Sequence, residues 1–480
     1  MPRFLPLLLL LVLVAGCGGG DGYEPEIRDS EKRLGARQHP QLLAEFGGAY
    51  AAPEAAYARR IGGKVAAAAG LEGECTFTLV NSDVVNAFAV PGCYVYVTRG
   101  LMGIVNSEAE LASVLAHEVG HIVAAHNRRQ QRRSLWRQLG VMAVGLITRS
   151  EELTRIAGRA AEYFTLRYSR AQEYEADDLA VRFLAAAGYD PYAASDMLAA
   201  LGRHEQFMNR TRGRDEAKAI PEWARTHPLA GNRVERAATQ AAATGIADGA
   251  LPELEAAYLG EVDGLLYGDD PAQGFVQGRR FAHPVMRIGF EAPAGFTLTN
   301  SPQAILIEGP DGSRGEFGGG PMPPGGPAEY AQRLVAAMLQ GTPAQAGPVE
   351  RSRVNGVPVL FTSVIVQTER GPIELALAVY DGGDGGAYHF VMVAPPAEPS
   401  RSAIASLFAS FRLLSAEEAA TLRPRLIRSV RVAPGQTAAT FARHMASDQP
   451  LDHFLMLNGR SANDPLRPGE LVKIVTFATR

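Results

Sequence analysis

His117, Glu118 and His121 stand in the order H-E-x-x-H within AHEVGHIVAAH, residues 116–126. On a helix, side chains four residues apart share one face, so two imidazoles at this spacing can reach one ion. Neutral imidazole nitrogen suits Zn²⁺, which accepts a tetrahedral set of nitrogen and oxygen donors. Glu118 is offset by one residue. Its carboxylate can reach a water on the metal and take its proton, which is the chemistry of a hydrolase. The plainer alternative is two ordinary histidines of one helix.

A zinc centre needs a third protein donor, and a hydrolytic one keeps a fourth position open. Residues 169–188, SRAQEYEADDLAVRFLAAAG, read as a second amphipathic helix with Tyr174, Leu179, Phe183 and Leu184 on or near its apolar side. Glu173 and Asp177 lie four apart on it. One carboxylate of such a pair can ligate while the other hydrogen-bonds the outer nitrogen of a ligand histidine. Glu175 points elsewhere on the helix and is the weaker candidate. The helix that must carry H-E-x-x-H is itself well signalled. Ser107 and Glu110 form a capping box, and Leu111, Val114, Leu115, Val119, Ile122 and Val123 follow at helical spacing without a proline.

Four segments occur in order: NAFAVPGCYVYVTRGLM (86–102), NSEAELASVLAHEVGHIVAAH (106–126), SRAQEYEAD (169–177) and THPLAGNRVERA (226–237). Together they resemble the M48, Ste24/HtpX-like gluzincin metallopeptidases, and most closely the soluble periplasmic, BepA-like branch, over residues 40–245. The resemblance implies that His117, His121 and Glu173 hold one Zn²⁺ per chain, with Glu118 as general base and Asp177 orienting a ligand histidine. It places His227 near the metal, where it could also fill the open position and hold the enzyme latent. It gives Arg233 the role of stabilising the oxyanion. It further implies an endopeptidase acting on unfolded or misassembled envelope proteins, with a strand beside the zinc helix pairing with extended substrate. The competing class is a non-catalytic envelope chaperone or peptidoglycan-tethered adaptor that keeps the protease fold. A zinc-using peptidoglycan amidase is a third reading, disfavoured by a motif set that is that of peptidases.

The 480 residues carry a net charge of −4, so nothing points to nucleic acid, and a hydrophobic content of 46% allows large cores. Residues 1–17 read as a secretory signal ending in a lipobox, with Cys17 as the lipidated residue. Residues 18–30 follow as a flexible, glycine-rich tether. This suggests a lipid anchor on the periplasmic side of the bacterial outer membrane. Cys75 and Cys93, in an exported chain, can close a disulfide if the first and last strands between them pair.

The expected fold is α+β and multidomain. A mainly helical gluzincin metallopeptidase domain with a small sheet spans 31–270. An α+β antiparallel-sheet domain, with a weak PsbP/Mog1-like pattern, spans 275–415. In the latter, GEFGGGPMPPGGP (315–327) reads as a loop. Residues 425–480 read strand, helix, helix, strand and resemble a LysM module, with VAPGQT (432–437), LMLN (455–458) and LRPG (466–469) as its motifs. The resemblance implies peptidoglycan binding; a degenerate module that caps its neighbour is the alternative. The basic cluster Arg128, Arg129, Arg132, Arg133 and Arg137 suits a helix C-terminal end. The apolar run 139–147 is too short to span a bilayer and reads as core or cleft cover.

Overall fold

A computed structural model of the chain describes residues 25–129, 168–211, 227, 232–339, 342–368, 371–383 and 385–479. The lipobox with Cys17, most of the tether, Arg132, Arg133, Arg137 and the run 139–147 lie outside the described residues. Helices α1 (Asp29–Glu45) and α2 (Pro53–Ala68) lead into strands β1 (Thr76–Val80), β2 (Ala87–Val90) and β3 (Tyr94–Thr98). Then come α3 (Arg99–Ile104), α4 (Glu108–Val123), α5 (Arg170–Ala186), α6 (Ala193–Thr211), α7 (Arg233–Ala243) and α8 (Glu255–Glu261). Among the described residues, no helix is long and apolar enough to cross a membrane.

Helix α4 is the axis of this region, and every residue from Glu108 to His121 is buried. It packs against α2, α5, α6 and β2. Its start follows the sequence signal: Ser107 Oγ accepts the Glu110 backbone N–H at 3.0 Å. The reciprocal bond differs from a strict capping box, because Glu110 reaches one residue further back and accepts from Asn106 N–H at 2.7 Å. In the small sheet the order is β1-β3-β2, with β3 parallel to β1 and antiparallel to β2. The pairing Thr76↔Tyr94 sets the preceding residues, Cys75 and Cys93, side by side, and a disulfide joins them. The alternating YVYVT strand is therefore central. The outer strand beside α4 is β2.

After α8 the chain forms the short strand β4 (Leu266–Tyr267) and enters the β-rich region. Strands β5 (Phe275–Gln277), β6 (Arg280–His283) and β7 (Ile288–Glu291) belong to a four-stranded sheet, completed by a late strand over Arg412–Leu413. A seven-stranded antiparallel sheet is built from β8 (Thr297–Asn300), β9 (Ile305–Glu308), β10 (Arg314–Pro321), β11 (Ala344–Val354), β12 (Val357–Thr368), β13 (Gly371–Gly383) and β14 (Gly386–Ala394). Helices α9 (Gly326–Leu339) and α10 (Glu398–Ala409) pack on it. The loop expected over 315–327 is largely strand β10, paired with β9 and β14. Its glycines allow close strand approach: a Cβ on Gly315 would stand 2.0 Å from the Val391 carbonyl oxygen.

The end of the chain runs β16 (Arg425–Arg431), α12 (Ala438–Ala442), α13 (Pro450–Leu457) and β17 (Leu471–Phe477) after β15 (Arg412–Leu413) and α11 (Ala416–Thr421). This segment, read from sequence as a LysM-like module or one that caps its neighbour, shares one core with the helical region. Ile427, Phe441, Phe454, Leu457 and Val475 are buried in the same cluster as Leu101, Met102, Val105 and Leu201. Strand β16 pairs with β4 as well as β17. Asn458 of the L-x-x-L-N motif is spent internally, donating to Lys473 O and accepting from Lys473 N–H. The buried Lys473 ammonium donates to the carbonyls of Gly103 and Val105, at 2.9 and 2.7 Å, in the turn that launches α4.

Candidate active site

Helix α4 presents His117, Glu118 and His121 in a fully buried environment. Helix α5 crosses it closely at Gly120, where a Cβ would stand 3.1 Å from the Ala176 carbonyl oxygen. A glycine inside a helix sacrifices about 1 kcal/mol of propensity relative to Ala. Here it brings Glu173 and Asp177 of α5 within reach of the two histidines.

The donor atoms converge. His117 Nε2 lies 3.0 Å from His121 Nε2, and the Glu173 carboxylate is 3.5 Å from the first and 3.6 Å from the second. His227 Nδ1 is 3.3 Å from His117 Nε2 and 3.1 Å from Glu173 Oε1. Ligand atoms of His117, His121, Glu173 and His227 all fall within 4.8 Å of one another. Glu118 stands beside them, its Oε1 buried, without a hydrogen-bond partner among the described residues, and 3.5 Å from His227 Nε2. Strand β2 packs against α4, the helix that carries Glu118.

Asp177 Oδ1 sits 3.0 Å from His117 Nδ1, the nitrogen turned away from the cluster. Arg233, at the start of α7, then holds Asp177 with two bonds of 2.8 Å and reaches Glu173 Oε2 at 3.0 Å. Its guanidinium is 1% exposed and engages the carboxylates behind the cluster, so its position is that of a brace.

The sequence reading missed the environment of His121. His121 Nδ1 is 2.7 Å from His126 Nδ1, and His126 Nε2 is 3.0 Å from Glu175 Oε2. Tyr168 stacks on the His121 ring at 3.9 Å and 17°. A third histidine in AHEVGHIVAAH was the available signal. It was hidden because His126 lies beyond the helix end, where Ala125 takes φ +54° and turns the chain back.

Charge and burial compete throughout. Burial opposes ionisation of Glu173, but His227, His117 and His121 outweigh it and hold its pKa well below the usual carboxylate range. Burial likewise opposes charge on His117, yet Asp177 and Glu173 raise its pKa to about 9. Burial pushes Glu118 up, in the direction a general base needs. Three imidazoles and a carboxylate packed this tightly have no apolar purpose. Their donor set and close convergence fit a Zn²⁺ ion.

Residues 52–241 match the model described as "Peptidase family M48". This part of the chain is an M48 peptidase domain. The M48 domain is 32% identical over 174 residues to the "Beta-barrel assembly-enhancing protease" of Yersinia pestis, covering 34% of each chain. It is 34% identical over 125 residues to the "Mitochondrial metalloendopeptidase OMA1" of Arabidopsis thaliana, covering 26% of this chain and 25% of that one. The chain thus spans about a third or less of the length of these curated relatives. Cyanobacterial PsbP from Synechocystis sp. PCC 6803 aligns with 30% of this chain and 98% of its own at 15% identity. Its TM-score is 0.23, too low to equate the folds.

Proposed function

We propose that this chain is a zinc-dependent endopeptidase of the bacterial cell envelope. The observation that carries the reading is the convergence of His117, His121 and Glu173 donors beside a buried Glu118. His117 and His121 would hold the ion through Nε2, and Glu173 through its carboxylate. When bound, zinc supplies the Lewis acidity that polarises a scissile carbonyl and acidifies water. Glu118 takes the proton of the attacking water and passes it to the leaving amine. Asp177 keeps the proton on His117 Nδ1, and Arg233 braces Asp177 and Glu173. The outer side of β2, which packs on α4 and pairs with no further strand among the described residues, offers a ladder edge on which an extended peptide can lie.

The substrates proposed are unfolded or misassembled envelope proteins, supported by the relatives named for β-barrel assembly. A lipid anchor at Cys17 would place the domain at the periplasmic face of the outer membrane. Peptidoglycan contact through residues 425–480 belongs to the same proposal, with binding restricted to the surface that the shared core leaves exposed.

Metal analysis of the purified protein with casein digestion tests the reading. The parent should carry one zinc and cleave casein, and a chelator should stop it. Glu118→Gln should retain zinc and lose cleavage. Zinc retention with unaltered biological function in that variant would favour the chaperone or adaptor.

A further inference from the structure

We propose that His126 and Glu175 form a positioning relay that fixes His121 as a metal ligand; this rests on the zinc reading above. For His121 to ligate through Nε2, its proton must sit on Nδ1, and an acceptor must face that nitrogen. The acceptor is His126 Nδ1 at 2.7 Å. A neutral imidazole that accepts at Nδ1 carries its own proton on Nε2. His126 Nε2 faces Glu175 Oε2 at 3.0 Å, so the second bond has the polarity the first demands. Arg129 completes the line, donating to Glu175 Oε2 at 2.9 Å and to the Ala124 carbonyl at 2.6 Å.

The two ligand histidines are thus backed in parallel ways. Behind His117 stand Asp177 and Arg233. Behind His121 stand His126, Glu175 and Arg129. The extra imidazole has a geometric reason. Glu173 and Glu175 are two residues apart, about 200° around a helix, so a carboxylate at 175 cannot face the cluster that 173 enters. His126 spans the gap. It is completely buried, and it is delivered there by Ala125 in the left-handed region, which costs a non-glycine residue about 1 kcal/mol. Tyr168 closes the arrangement from the ring face, so both the plane and the tautomer of His121 are set before a metal arrives.

The test uses the zinc-loaded full chain and follows transfer of zinc to a chromogenic chelator. His126→Leu should weaken zinc binding by about 10–100-fold, the usual effect of removing a partner that orients a ligand. His126→Asn places an amide oxygen where Nδ1 was and should restore most of the affinity, a rescue that packing alone would not give. Glu175→Leu changes a partly exposed side chain and should loosen zinc while the zinc-free protein still melts cooperatively, which covers the case in which His126→Leu does not fold. If Glu175→Leu and His126→Asn both release zinc like the parent while His126→Leu does too, the relay is overturned and the zinc site stands. If the parent itself takes up no zinc, the metal reading fails and the relay with it.

Discussion

Gly120 of α4 faces Ala176 of α5 so closely that a Cβ would come within 3.1 Å of the Ala176 carbonyl oxygen and 3.4 Å of Leu179 Cβ. The glycine between the two histidines therefore sets the distance from which Glu173 approaches them. Gly120→Ala gains helix propensity and loses packing in similar measure, so its stability should stay near that of the parent. Gly120→Val should cost about 1–3 kcal/mol by overpacking and lower zinc stoichiometry by moving α5 outward. Denaturant titration and metal analysis of the two variants measure this. Full zinc occupancy in the valine variant would show that the helix spacing is not critical.

Arg233 provides a second check. Removing it leaves Asp177 buried without its main cation and takes one cation from Glu173, and breaking such a pair typically costs about 3–5 kcal/mol. Arg233→Met should therefore lower unfolding free energy by that order in the zinc-free protein. A loss of turnover with unchanged stability would instead return Arg233 to the oxyanion.

His227 sits among the proposed ligands and close to Glu118, where a substrate carbonyl would need to enter. If it holds the enzyme latent, His227→Ala should raise basal cleavage of casein severalfold. Unchanged activity would remove the latch, and lower activity would favour a transition-state role for the imidazole.

Lys473 gives a pH prediction away from the histidine cluster. Burial lowers its pKa to about 7, although Glu110 and Glu255 face it and oppose that shift, while Arg203 adds to it. Burial raises Glu110 to about 7 against the Asn106 N–H, Lys473 and Arg203, with Asp196 adding to the rise. An unfolded lysine keeps its proton to about pH 10.4. Between pH 7 and that value the unfolded chain binds the extra proton, so stability rises with pH. From about pH 4.3 to 7 the folded chain holds the proton on Glu110, so the same reasoning gives a fall. Lys473→Met should flatten the alkaline rise, by at most about 1.4 kcal/mol per pH unit. Parallel stability profiles for variant and parent from pH 7.5 to 9.5 would contradict the assignment.

Local patterns made the H-E-x-x-H helix legible. Ser107, the apolar spacing of α4 and the four-residue steps from His117 to His121 and from Glu173 to Asp177 are all contained within single helices. The His126 link was not legible, because it depends on one left-handed residue and on a contact between α4 and α5. Strand β10 was missed for the opposite reason: its glycines signal a loop locally but serve close strand packing. The merging of residues 425–477 with the peptidase core was also invisible. A strand-helix-helix-strand pattern describes a unit's contents and says nothing of which of its faces is already covered.

Tyr267 and Arg425 are direct partners across an antiparallel ladder, although the whole β-rich region lies between them in sequence. Such partners are only about 5 Å apart. The chain therefore departs from the peptidase and rejoins it at one doorway. The span between them stays tied to the helical region near that doorway, where Asn81 donates to Asp270 at 2.6 Å. The excursion is a loop in topology, with its entrance and exit stitched together by one ladder.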